Sequence, residues 1–159
     1  AAGRVDAATL RVILRAPGDI SGTRAKVARH GMDDIVEVLP PVPYRDALAE
    51  MLAADALLLF QGTPFNSQIP AKIYEYFRAR KPVLGLVDPA GETATVLRKA
   101  GFDSIAATER SDLIRAALEP FIASVRAGTA YVASDAVIAQ ATRTHKAGQL
   151  AALFDEVAR

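Results

Sequence analysis

The sequence predicts an α/β domain: a doubly wound parallel sheet with helices on both faces. Three observations carry this. Short β-type runs alternate with helical segments along the chain, the order that builds parallel sheets. The run Ala56-Leu57-Leu58-Leu59-Phe60 is unbroken and apolar, as a strand covered on both faces requires. A chain of 159 residues, 51% hydrophobic and 23% charged, suits one domain with its own core.

The elements follow in order. Residues 10–14 form the first strand, stopped by Pro17 and Gly18. A helix over 21–30 ends at Gly31. The second strand, 35–39, is closed by Pro40-Pro41-Val42-Pro43. A helix over 44–54 places Ala47, Leu48, Met51 and Leu52 on one face. The apolar strand 56–60 leads into a polar loop, 61–68. Pro70 begins a helix over 71–80, at the position where its missing N–H costs nothing. Pro82 precedes the fourth strand, 83–87. Gly91-Glu92-Thr93 opens a helix to residue 100, capped by Gly101. Residues 104–107 form a short fifth strand, and Ser111-Asp112 caps a helix to about 126. Residues 135–158 are helical, with a bend expected near His145 from Gly148 and the polar stretch 142–146. Leu150, Leu153, Phe154 and Val157 recur there at helical spacing. One small sheet has little room for so long a helix. Part of the 150–157 apolar face is expected to stay uncovered by this domain, as the family resemblance given below implies, the alternative being that it folds onto the sheet as core.

Composition excludes several classes. A net charge of +1 leaves no bulk electrostatic footprint for nucleic acid or an anionic membrane. The absence of cysteine excludes a disulfide framework, thiolate zinc sites and thiol catalysis. No apolar run approaches the ~20 residues that span a bilayer. The first six residues have no secretion-type apolar segment, so a cytoplasmic location is expected.

The familiar site motifs are missing. There is no Gly-x-Gly-x-x-Gly, no Gly-Lys-Ser/Thr phosphate loop and no Gly-x-Ser-x-Gly elbow. His30 and His145 stand alone and read as ordinary surface or packing residues. Asp33-Asp34 precedes a strand, on the wrong edge for a ligand, and reads as a solvated turn. A phospho-acceptor signalling domain needs an Asp where the third strand ends. That strand ends Phe60-Gln61-Gly62, with Asp55 at its beginning. No metal and no cofactor is expected.

Ligands on parallel sheets bind beyond the carboxyl ends of the strands. The loops in question are 16–19, 40–44, 61–69 and 88–92. The informative stretch is Phe65-Asn66-Ser67-Gln68-Ile69-Pro70-Ala71-Lys72-Ile73-Tyr74-Glu75-Tyr76-Phe77. It brings free N–H groups at a helix start to that edge, a ready anion site. Lys72 in the first turn opposes the helix dipole by a few tenths of a kcal/mol, roughly. A bound phosphate would turn that local fault into a gain, and sites that break a local rule are often functional. Glu75, at i+3 from Lys72 and flanked by aromatics, is expected to be partly buried, where a carboxylate can accept both hydroxyls of a ribose. The competing reading is a plain Lys72–Glu75 helix pair, contributing ~0.2–0.5 kcal/mol.

Continued as Arg78-Ala79-Arg80-Lys81-Pro82-Val83-Leu84-Gly85, this stretch resembles the donor-binding region of family-four, GT-B-fold glycosyltransferases (glycosyl transferases group 1). Pro-Ala-Lys-Ile-Tyr-Glu-Tyr-Phe is similar to that family's Lys-x-x-Glu-Tyr subgroup. The stretches 35–44 and 53–59 resemble its base-side strand and the entry to its next strand. The resemblance implies a Rossmann-like fold, one half of a GT-B architecture. Residues 1–159 would be the carboxyl-terminal, nucleotide-sugar-binding domain of a two-domain transferase, and a fragment of it. Glu75 matches the family's second motif Glu, which holds the ribose; Ser67 stands where the first, sugar-binding Glu would fall. Ser67, Gln68 and Ile69 would face the diphosphate through backbone N–H groups, with Lys72 nearby and Gln61 and Gly62 in the same loop. Val42 and Pro43 would lie against the base, or form only a strand-ending turn.

The implied activity is transfer of a sugar from a nucleotide diphosphate sugar to an acceptor. It retains configuration, needs no metal and leaves no catalytic residue in this chain. The implied partners are the donor and an amino-terminal domain, through which any peripheral membrane association would come. The family's donor domain opens with a further strand, a loop carrying basic residues, and a helix. Residues 1–6 resemble the tail of that helix. Half of a sugar-nucleotide epimerase and a non-catalytic nucleotide-binding or scaffolding module are the alternatives.

Overall fold

A computed structural model describes residues 5–158. The chain is α/β, with parallel strands alternating with helices, in two compact units, Ala1–Leu48 and Ala49–Arg159.

In the first unit β1 (Val12–Arg15) pairs in parallel with β2 (Val36–Leu39), Val12 opposite Val36 and Arg15 opposite Leu39. Between them runs α1 (Ile20–Arg29). Its N-cap is Asp19, whose carboxylate accepts the Gly22 N–H at 2.9 Å and the Ser21 hydroxyl at 3.1 Å. These bonds hold the Asp19 carboxyl below its ordinary pKa, the Gly22 N–H contributing most. The Arg24 guanidinium ties α1 to β2 by donating twice to the Val38 carbonyl, at 3.2 and 2.9 Å. Arg11 pairs with Glu37. Among the described residues of this unit, Val38 is the buried hydrophobic side chain, and α1 buries none.

Ala16, directly after β1, has φ +48°. The left-handed region costs an L-residue roughly 1–2 kcal/mol. Ala16→Gly is expected to raise stability by about 0.5–1 kcal/mol, the relief being reduced by the greater freedom of glycine in the unfolded chain. Urea denaturation measures it, and a loss of stability would refute the strain.

The helix α2 (Tyr44–Ala53) runs on into the second unit. There β3 (Leu57–Phe60), β4 (Val83–Leu86) and β5 (Ile105–Ala106) pair in parallel in that order. Their crossovers contain α3 (Lys72–Ala79) and α4 (Glu92–Lys99), and α5 (Ser111–Arg126) follows β5. The apolar runs are strands because both faces of this sheet are covered. Val83 and Val87 join Leu57, Leu59, Ile73, Phe77, Leu97 and Phe102 in one core. Leu84 and Leu86, pointing the other way, pack with Ala106 and Phe121 in a second. Phe77 stacks on Phe102 at 5.4 Å, and Tyr131 meets Phe102 edge-on at 4.9 Å while donating its hydroxyl to the Ala100 carbonyl at 2.8 Å. Gly101 is required at its turn: its φ is +90°, and a Cβ there would lie 2.7 Å from the Tyr131 ring.

Of the expected doubly wound sheet, the parallel strands alternating with helices are present, paired as two small sheets. The first of them is thinly covered, Ile13 being 46% exposed and β2 carrying the charged Glu37. Ser111 is not a cap: α5 starts at it, after Arg110, which pairs with Asp112 at 2.7 Å.

The expected break in the last helix is present, at Thr142, the first residue of the polar stretch just before His145. It separates α6 (Asp135–Gln140) from α7 (Arg143–Val157). Thr142 causes it, accepting the His145 N–H at 3.1 Å and donating to the Ala139 carbonyl at 2.8 Å, so that one helix closes as the next is capped. Gly148 lies inside α7. The apolar face of α7 is uncovered: Leu150, Leu153, Phe154 and Val157 are 51%, 53%, 64% and 78% exposed. It does not serve as core.

Candidate functional site

Parallel pairing of β3, β4 and β5 puts the segments that follow them at one sheet edge. Side chains tie these segments together. The Gln61 amide donates to the carbonyls of Phe65 and Gln68, both at 2.8 Å, folding the loop over its own short 3-10 turn, Thr63–Phe65. Thr93, buried at the start of α4, also donates to the Gln68 carbonyl, at 3.1 Å. Asn66 bonds Asp88 in the loop after β4, and the Asn66 carbonyl accepts the Glu92 N–H at 3.1 Å. Thr63 donates to Glu109, after β5, at 2.8 Å. That bond is the largest of those keeping the Glu109 carboxyl below its ordinary pKa, ahead of the Thr108 hydroxyl.

This arrangement defines what each singled-out residue offers. The Gln68 carbonyl is held by two donors, so the planar peptide directs the Ile69 N–H the opposite way. The Gln68 N–H is engaged with the Phe65 carbonyl at 2.9 Å. Among the described residues the N–H groups of Ser67 and Ile69 have no acceptor. Gly62 is exposed in extended backbone, before the 3-10 turn. Lys72 is exposed and opens α3; Glu75 is half-buried one turn on. Val42 and Pro43 belong to the first unit, in the loop after β2. Val42 is half-buried, and the Pro43 carbonyl starts α2 by accepting the Asp46 and Ala47 N–H groups at 2.9 and 3.0 Å.

Tyr76 adds an electrostatic marker. Burial pushes its hydroxyl above the ordinary pKa of 10.0, and the charge of Glu75 pushes it further. A raised pKa in the folded state gives stability that is present below pH 10 and is lost as pH rises through the folded value. Glu75→Gln is expected to lower the Tyr76 titration midpoint, read by tyrosinate absorbance. An unchanged midpoint would remove the Glu75 charge from the surroundings of that hydroxyl.

Two clefts lie elsewhere. One, of about 500 Å³, lies along α1 and β2, and one of about 400 Å³ lies beside β5 and α5; neither is lined by the residues above. Among the described residues no three His, Asp or Glu side chains cluster as a metal site, and no helix is long and apolar enough to cross a membrane.

The braces formed by Asn66, Asp88, Thr93 and Glu109 escaped the sequence reading. Asp88 stands in a loop it marked, but partners 22 and 46 residues apart leave no local pattern. Comparison with protein families, with curated proteins and with solved structures found no match.

Proposed function

We propose that the chain is the donor-binding domain of a retaining, GT-B-type glycosyltransferase that takes a sugar from a nucleotide diphosphate. One observation carries the reading. The Pro-Ala-Lys-Ile-Tyr-Glu-Tyr-Phe run opens α3 directly after β3 and its braced loop, at the carboxyl edge of a parallel sheet. That edge is where such sheets take ligands. In this reading the Ser67 and Ile69 amides meet the diphosphate, Lys72 adds a positive charge, and Glu75 accepts the ribose hydroxyls. Preorganised dipoles and Lys72 would stabilise the leaving diphosphate as its charge grows.

Strand pairing supports the domain assignment. A doubly wound sheet commonly runs 3-2-1-4-5-6. The two ladders, β2-β1 and β3-β4-β5, have the pairing of positions 3-2 and 4-5-6. In this reading the chain is the carboxyl-terminal part of a larger two-domain protein.

Calorimetric titration with uridine and guanosine diphosphates tests the reading. Weak, saturable binding of one of them is expected, with no sugar transfer by this chain alone, because the acceptor half and the basic opening loop lie outside it. Binding of neither would refute donor recognition, and transfer by the chain itself would refute the two-domain assignment.

A further inference from the structure

We propose that α7 is a self-association surface, and that its apolar stripe packs antiparallel against α7 of a second copy of this chain. The inference is independent of the donor site. Leu150, Leu153, Phe154 and Val157 lie at i, i+3, i+4 and i+7, one stripe along the helix, and each is more than half exposed. A contiguous apolar stripe left in water marks a contact.

Charge selects the occupant. Among the described residues, α7 carries Arg143 and Lys146 near its amino end and Asp155 and Glu156 near its carboxyl end, all exposed. Each sign sits at the end of the helix dipole that disfavours it. An antiparallel copy sets the basic end of one helix beside the acidic end of the other and repairs the mismatch at both ends. A parallel copy would stack like charges. The arrangement closes with two-fold symmetry, as a self-complementary patch must. With the axis near Leu150, Arg143 and Lys146 lie over the Val157 and Phe154 ends of the second copy. Their aliphatic stems can cover apolar surface there while their charges reach its acidic turn.

Sedimentation velocity on the whole chain across a hundred-fold concentration range tests this. A monomer–dimer equilibrium is expected. Phe154→Glu should shift it to monomer with an unchanged far-UV circular dichroism spectrum, because the side chain is exposed. Arg143→Glu with Lys146→Glu should weaken it, and adding Asp155→Lys with Glu156→Lys should restore it. The chain has no cysteine, so single substitutions report geometry. On oxidation Leu150→Cys should give a disulfide dimer and Val157→Cys alone should not. A monomer at every concentration, association untouched by Phe154→Glu, or equal cross-linking at 150 and 157 would overturn the proposal.

Discussion

Leu97→Ala is expected to destabilise the protein by about 2–5 kcal/mol, the largest effect of a single side chain here. Leu97 is 0% exposed, on the face of α4 that meets β4, in the core with Ile73, Phe77 and Phe102. Removing its branched end costs transfer energy and leaves a cavity among residues that cannot collapse freely. The backbone of β4 sets the geometry. A Cβ on Gly85 would lie 2.7 Å from Leu97 Cδ1, so Gly85 is the hollow into which Leu97 fits. Gly85→Ala should therefore cost about 1–3 kcal/mol by overpacking. In the Leu97→Ala background the same methyl enters vacated space, and its cost should fall or change sign. The two substitutions share one volume, so a coupling above about 0.5 kcal/mol is expected. Urea or thermal unfolding of the four variants measures it, and additive costs would refute the contact.

Glu75→Ala is expected to weaken nucleoside diphosphate binding by about 1.5–3 kcal/mol, roughly ten- to a hundred-and-fifty-fold in Kd. A half-buried carboxylate that accepts ribose hydroxyls makes charge-assisted hydrogen bonds, which are worth more than neutral ones. The plain helix-pair reading makes a different forecast: stability changes by a few tenths of a kcal/mol, roughly, and affinity stays put. Calorimetry on Glu75→Ala and Glu75→Gln, with unfolding measured alongside, separates them. Unchanged affinity with a small loss of stability would favour the helix pair.

What was legible in the sequence was local. Leu57-Leu58-Leu59-Phe60 and Val83-Leu84-Gly85-Leu86 read as strands because a run buried on both faces needs no alternation. Pro70 located the start of α3 to within two residues because its ring fits only the first turn. Caps were harder. Asp19 and Ser21 both suit a helix start, and the choice depends on which oxygen reaches the Gly22 N–H. The bend was placed on Gly148 and the polar stretch 142–146 together, and it is Thr142 of that stretch, capping the third residue on, that separates the two helices. Strand pairing was not legible, because registers such as Val12 opposite Val36 join distant segments that carry no mark of their neighbour. The candidate site divides the same way. Spacing put Lys72 and Glu75 on one helix face and the family resemblance singled them out as site residues, whereas the aim of the Ile69 amide depends on Gln61 and Thr93 converging on one carbonyl.

The central claim is that a nucleotide diphosphate sits at the carboxyl edge of β3 and β4, over the start of α3. Amide-resolved NMR titration of the chain with a nucleoside diphosphate tests it most directly. The expected result is saturable shifts at Ser67, Ile69, Lys72 and Glu75, lost together in Glu75→Ala while its fold persists. Saturable shifts confined to the cleft along α1 and β2 or to that beside β5 and α5, or no shifts at all, would contradict it.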